Sequence, residues 1–325
     1  MNAALSLDLD NKWSYMKTHG DPAWQSLPSY LDLLVPRTLD VLDGLGLRIT
    51  FFIVGQDAAL RMHADVLAEI PRRGHEIGNH SHYHEPWMHR RGAAAIDDEL
   101  ARAEDSIEAA TGQSPRGFRG PGFTRSTAIL ETLVRRGYLY DASSLPTFIG
   151  PLARAYYFRS VKLGAQAMRE RADLFGAFAD GFRPNRPHRL RLCSGSITEI
   201  PVTTMPFFRV PIHISYVLYI ATVSPQAALA YFRAALLLCK LTRTEPSILL
   251  HPLDFLDGAE CKELAFFPAM NLDPAIKRHV VLESLRALSR EFDVFPLRET
   301  LRADEGLVRN DYTLGVAMQT NRRLE

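Results

Sequence analysis

The chain has 325 residues, with 38 Lys and Arg against 37 Asp and Glu, so its net charge is about +1 and the basic footprint of a nucleic-acid binder is excluded. Hydrophobic residues at 46% and charged residues at 23% permit a full globular core, and the length fits one large α/β domain or two smaller ones. Cys193, Cys239 and Cys261, with no CxxC spacing, exclude a disulfide framework and a cysteine zinc site; they read as buried free thiols.

MNAALSLDLD has neither a basic leader nor a signal-length apolar stretch, so the chain as given reads as cytoplasmic. ALSLDLD alternates apolar and polar residues and predicts a first strand. A loop with Trp13, Tyr15, Pro22 and Trp24 follows, then a helix near 36–44 that ends in glycines. RITFFIVG predicts a buried strand, DAALRMHADVLAEIPRRG helical material and HEIGNH a short strand. The helix predicted over 92–112 ends on glycine. PRGFRGPG reads as strand and turn, STAILETLVRRG as a helix and YLYDASS as a strand and loop. Strand and helix alternate to about residue 145, which predicts βα units around a parallel sheet or barrel. The rhythm resumes with a strand in EPSILLHP, a helix over 273–292 and a strand then helix in DVFPLRETLRA. AALAYFRAALLLCKL (227–241) is too short and interrupted to span a bilayer and reads as a buried helix. The stretch 146–215, rich in Pro, Phe, Tyr and Arg, reads as an elaboration on a single domain.

EIGNHSHYHEPW (76–87) sets His80, His82 and His84 on alternate positions in a chain with eleven histidines. Four apart, His80 and His84 share one face of a helical turn, about 5–6 Å between Cβ atoms, so both imidazoles can reach one metal ion. His82 points away. Asp8 and Asp10 sit at the carboxyl end of the first strand, on one face, where α/β folds place ligands. Two adjacent carboxylates repel and need a cation unless they are a capping or surface pair. One aspartate and two imidazoles make a metal site with open coordination positions, as in a catalytic zinc centre.

These motifs together resemble the NodB-homology polysaccharide deacetylases, carbohydrate esterase family 4. SLDLDNKW is similar to the family's TFDDG motif, with one residue inserted between the acids. ITFFIVG, HEIGNHSHYH, FRGPGF, YDASS and ILLHP resemble its later motifs in order, over most of 5–145 and 245–300. Within 146–244 only EIPVTT resembles a family segment. The resemblance implies a distorted (β/α) barrel with its site at the carboxyl ends of the strands. It implies a divalent metal, Zn2+ foremost, on Asp10, His80 and His84. Asp8 would be the general base, oriented by Arg119, and His251 the general acid. The Gly122 N–H would help hold the oxyanion. The inserted residue leaves an exchange of roles between Asp8 and Asp10 open. Asp141 and Asp254 are candidate partners for His251. His63, His75, His89, His213 and His279 read as structural.

The implied reaction is hydrolysis of a C–N bond, most often an acetamido group on a sugar. Trp13, Tyr83 and Trp87 flank the motifs and could stack on a sugar or simply form a hydrophobic rim. The excess of Arg over acids in 150–191, interleaved with aromatics, suits a phosphate or an anionic headgroup. That points to an N-acetylated sugar, nucleotide-sugar or lipid-linked glycan as substrate, with peripheral contact at the inner membrane face. Two alternatives stand beside it, an allantoinase-like hydrolase of a ureide or cyclic imide and a non-catalytic glycan-binding module. Oligomeric state is not legible.

Overall fold

The computed structural model describes residues 1–160, 164–172, 174, 176–303 and 311–313. Its strands are β1 (Asn2–Leu9), β2 (Thr50–Ile53), β3 (Glu76–Asn79), β4 (Gly117–Phe118), β5 (Tyr140–Asp141), β6 (His188–Leu192), β7 (Gly195–Glu199), β8 (Ser247–Leu250), β9 (Asp293–Phe295) and β10 (Asp311–Thr313). They form one sheet in the order β10-β6-β7-β5-β4-β3-β2-β1-β8, with β9 also on β1. Every pairing is parallel except β6 with β7.

The chain leaving β7 curls the sheet into a ring. Ile200 N donates to Asp141 O (2.8 Å) and Val202 N to Ser144 O (2.8 Å); Thr203 N then reaches Ser247 O (2.9 Å) at the start of β8. This is the distorted (β/α) barrel expected from the sequence. The alternation in ALSLDLD sorts residues between its two sides. Leu5, Leu7 and Leu9 join Phe51 and Ile53 in the larger core under the outer helices. Phe52, Tyr140, Ala142 and Ala4 fill a smaller cluster, and Ser6 and Asp8 both meet Arg119. Parallel strands covered on both faces have little room for exposed polar groups, and β1 is buried from Ala3 onward.

Several expectations need correction. The stretch after β1 is a helix, Lys12–His19, because the Asn11 side chain accepts the Lys12 N–H and Gly20, at φ 90°, ends it in a left-handed turn. The next helix starts at Leu31, with Pro36 inside it, because Leu31, Leu34 and Val35 are already buried. The helix Pro225–Leu241 is amphipathic and not buried all round; Leu237 and Leu241 are exposed. Cys193 is exposed, whereas Cys239 and Cys261 are buried as expected. The stretch 146–215 is more than an elaboration, since it supplies β6 and β7 and the closing segment. Residues 161–163, 173 and 175 of it lie outside the described residues.

Candidate metal centre

Asp8 is the last but one residue of β1 and Asp10 lies just beyond its end. β3 runs into the loop that carries both histidines. That loop is not a helical turn. Ser81 and His84 take left-handed backbone angles, φ 63° and 49°. Side chains satisfy the N–H groups that a helix would have used. Asn79 Oδ1 accepts from Ser81 N (2.7 Å), Ser81 Oγ from His84 N (3.1 Å), and Glu99 Oε1 from His82 N (3.1 Å) and Tyr83 N (2.7 Å). His82 turns away, as expected, toward Gly55, where a Cβ would come within 2.7 Å of its Nδ1.

The loop aims both imidazoles at one carboxylate. His84 Nε2 lies 2.8 Å and His80 Nε2 3.3 Å from Asp10 Oδ1, and all three residues are buried. One potential ligand atom from each lies within 4.8 Å of the others. His80 Nδ1 sits 2.6 Å from the Arg119 carbonyl, an acceptor only, so that nitrogen carries the proton. Its Nε2 then offers Asp10 either a second proton or a lone pair that needs a cation. Burial alone would raise Asp10, but the charges of and bonds from His84 and His80 outweigh it and hold the carboxyl well below its usual range. Burial lowers His80, and Asp8 and Asp10 more than reverse this. A convergent pair of imidazoles on an ionised, buried carboxylate fits a divalent cation.

Asp8 belongs to the same cluster and has a different partner. Its Oδ2 is 3.9 Å from His80 Nε2, while its Oδ1 accepts from Arg119 Nη1 (2.7 Å). Arg119 is fully buried and cannot swing away. Nη1 also donates to Ser6 Oγ (2.8 Å), Nε donates to Ala142 O (3.0 Å), and the guanidinium lies 4.4 Å over the Phe52 ring. One residue thus holds Asp8 with its side chain and His80 with its carbonyl. Gly122 follows in the turn Pro121–Phe123 at φ 57° and is exposed. Gly120 N donates to Ser143 Oγ (2.8 Å).

His251 directly follows β8, whose Leu250 is in register with Leu7, so it stands beside Asp8 on the neighbouring strand end. Asp254 is its acidic partner, through a residue that the sequence reading missed. Ser215 Oγ donates to Asp254 Oδ1 (2.7 Å) and lies 3.0 Å from His251 Nδ1. The hydroxyl's one proton goes to the carboxylate, so Nδ1–H donates to Ser215 and Nε2 is left as the exchanging nitrogen. Asp254 Oδ2 also accepts the His251 N–H (2.8 Å). Asp141, the other candidate, instead meets Arg125, Ser143 and Glu199.

His213, expected to be structural, packs its ring 5.9 Å from that of His251. Burial, and then the charge of His251, push it down to about 3, so it stays neutral. HIS at 213–215, breaking an apolar run just before a helix, was the available signal for both His213 and Ser215. His75 Nδ1 accepts from Ile49 N (3.2 Å) in a structural role. Trp13 is buried against His84 (6.3 Å, edge-on) with Nε1 on Asp57 (2.9 Å), so it backs the histidine and is not an open stacking platform. Trp87 lies under Arg171 (4.7 Å).

Residues 28–140 match the family model described as polysaccharide deacetylase. A stretch of 105 residues is 30% identical to a chitin deacetylase of Pestalotiopsis sp., covering 31% of this chain and 34% of that one. A stretch of 125 residues is 28% identical to the peptidoglycan deacetylase of Helicobacter pylori, covering 38% and 40%. The matched stretches therefore span 34% and 40% of these relatives' length. A crystal structure from Mycobacterium smegmatis, assigned to the polysaccharide deacetylases, superposes with a TM-score of 0.58 at 18% identity, over 93% of this chain and 91% of that one; it shares the fold.

Proposed function

We propose that this chain, which belongs to the polysaccharide deacetylase family by its residues 28–140, removes an N-acetyl or similar acyl group from a sugar or glycan precursor. The observation that carries the reading is the meeting of His80 Nε2 and His84 Nε2 on the buried Asp10, beside the Asp8–Arg119 pair. Asp10, His80 and His84 would hold a divalent cation, with Zn2+ the best fit to two imidazoles and one carboxylate. When bound, the cation activates water and polarises the acyl carbonyl.

The chain's own groups divide the proton transfers. Asp8, held by Arg119, takes a proton from the attacking water as the amide carbon becomes tetrahedral. Arg119 fixes the orientation of that base. The Gly122 N–H donates to the carbonyl oxygen as its charge grows. His251 gives the proton on Nε2 to the leaving nitrogen. Ser215 holds its Nδ1–H, and Asp254 accepts from that hydroxyl, which fixes the orientation of the ring for the transfer. SLDLD sets Asp8 against Arg119 and Asp10 against both imidazoles, which supports this order of roles over the exchanged one.

Metal content of protein purified without added ions, followed by acetate release from N-acetyl sugars, nucleotide sugars and chitooligosaccharides, tests this reading. About one zinc per chain and acetate from at least one substrate are expected. A metal-free chain that gains no activity from added divalent ions would overturn it.

A further inference from the structure

The exposed phenylalanines among the described residues all fall in 146–215: Phe178 (57%), Phe182 (74%), Phe207 (77%) and Phe208 (64%). Phe207 and Phe208 form the tip of a tight loop. Met205 N donates to Val210 O (2.8 Å), Arg209 N donates to Met205 O (2.9 Å), and Thr204 and Pro211 bridge the base. Within it Phe207 and Arg209 adopt left-handed backbone, φ 67° and 54°, which side chains with a Cβ disfavour. The loop is strained, and its strain holds two large apolar rings in water. Two adjacent exposed rings held in this way mark a candidate docking surface.

The loop is continuous with the other aromatics. Thr147 Oγ1 donates to the Arg209 carbonyl (2.7 Å), and the neighbouring Phe148 ring lies 4.9 Å from Phe178 and 5.0 Å from Phe182. The segment that carries them is rich in positive charge. Residues 146–215 hold nine arginines and one lysine against four acids. Of those acids, Asp180 is paired with Arg183 (2.7 Å) and Glu199 is fully buried. Apolar rings in an arginine-rich segment match an anionic lipid surface, acyl chains below and phosphates above.

The face also borders the barrel mouth. The loop follows Thr203, which bonds β8, and leads on to His213 and Ser215 beside His251. Arg171 reaches the Thr18 carbonyl (2.9 Å), and Leu174 Cδ2 lies 3.8 Å from where a Gly122 Cβ would be.

We propose that this face docks the protein on an anionic lipid bilayer, with Phe207 and Phe208 inserted, so that the barrel mouth meets a substrate carried on lipid. The substrate half rests on the deacetylase reading; the docking half does not.

Co-sedimentation of the full chain with vesicles of phosphatidylglycerol and phosphatidylcholine, against phosphatidylcholine alone, tests it. Binding to the anionic vesicles is expected, weakening as salt rises. The F207S/F208S double substitution should lower partition by at least about tenfold, with acetate release from a soluble substrate unchanged. If the double variant loses its thermal transition, Phe182→Ser repeats the measurement from outside the loop. Equal partition of wild type and folded variants, or no anionic binding at all, overturns the proposal. So does a variant that changes the oligomeric state and leaves partition alone, since the face would then meet a second copy. Vesicle binding with no acetate released from any N-acetyl compound leaves docking standing and sinks the deacetylase reading instead.

Discussion

Two buried acid pairs lie at the carboxyl ends of this barrel, each beside one arginine, and they resolve the same electrostatic problem in opposite ways. Asp8 pairs with Arg119, and beside it Asp10 faces His80 and His84. Asp141 and Glu199, in register on β5 and β7, share Arg125 at 3.5 and 3.3 Å. In both places two carboxylates and one guanidinium leave an excess negative charge out of water. In the first, the imidazoles hold Asp10 well below its usual value, and the cluster suits a bound cation. In the second, burial and then the charge of Asp141 push Glu199 well above its usual value, against Arg125, so a proton serves. An acid pair does not mark a metal site; lone pairs aimed at the carboxylate do.

The contrast breaks most severely at the ligands. His80→Ala should abolish both stoichiometric metal and acetate release, because two donors cannot close the site. Glu199→Gln should leave metal content unchanged. Elemental analysis of the two variants side by side checks this. Equal metal loss in both would merge the two clusters into one functional unit and remove the distinction.

His251→Ala comes next in size. It should keep its metal and lose roughly 10²–10⁴ in kcat, the usual contribution of a general acid. A variant that lost metal would show that His251 is a ligand and that the proton donor lies elsewhere. Ser215→Ala should cost less. It removes the hydroxyl that bridges His251 Nδ1–H and the buried Asp254, a loss of about 1–3 kcal/mol at the carboxylate. The expected result is a lower kcat with KM nearly unchanged, and a shifted limb in the kcat–pH profile. An unchanged profile would reduce Ser215 to packing.

The sequence showed the first cluster far better than the second. Asp8, Asp10, His80, His84, Arg119 and His251 sit in short motifs whose residue types have few other uses at that spacing. The parallel barrel followed from alternating strand and helix. The conformation of the histidine loop was not legible, because Asn79, Ser81 and Glu99 impose it through bonds to backbone N–H groups, one of them from a helix about 16 residues away. Glu199 was invisible for a related reason, since it acquires its role only when strand order brings β7 beside β5. Ser215 left only a polar break in an apolar run, and its role appears once its helix packs beside His251 and Asp254. The Lys12–His19 helix depends on a single cap that composition does not reveal.

The smallest expected effect tests the proton in the second cluster. Glu199 faces Asp141 from β5, His188 from β6, and Arg125 and Arg183. Its folded pKa is raised above the ordinary 4.5, so the native state binds a proton that the unfolded chain has released. Stability from this group is therefore full below about pH 4.5 and declines as pH rises toward the folded value, at up to about 1.4 kcal/mol per pH unit. Glutamine keeps a donor toward Asp141 and cannot ionise. Urea unfolding of Glu199→Gln against wild type should then give similar stability near pH 4.5 and a variant advantage that grows as pH rises toward the folded value. Asp141 passes its own constraint on, accepting from the Ser143 hydroxyl that in turn accepts the Gly120 N–H, so the turn after Arg119 should keep its geometry in the variant. A stability difference that stays flat with pH would mean that Glu199 is ionised throughout, and that Arg125 alone balances both acids.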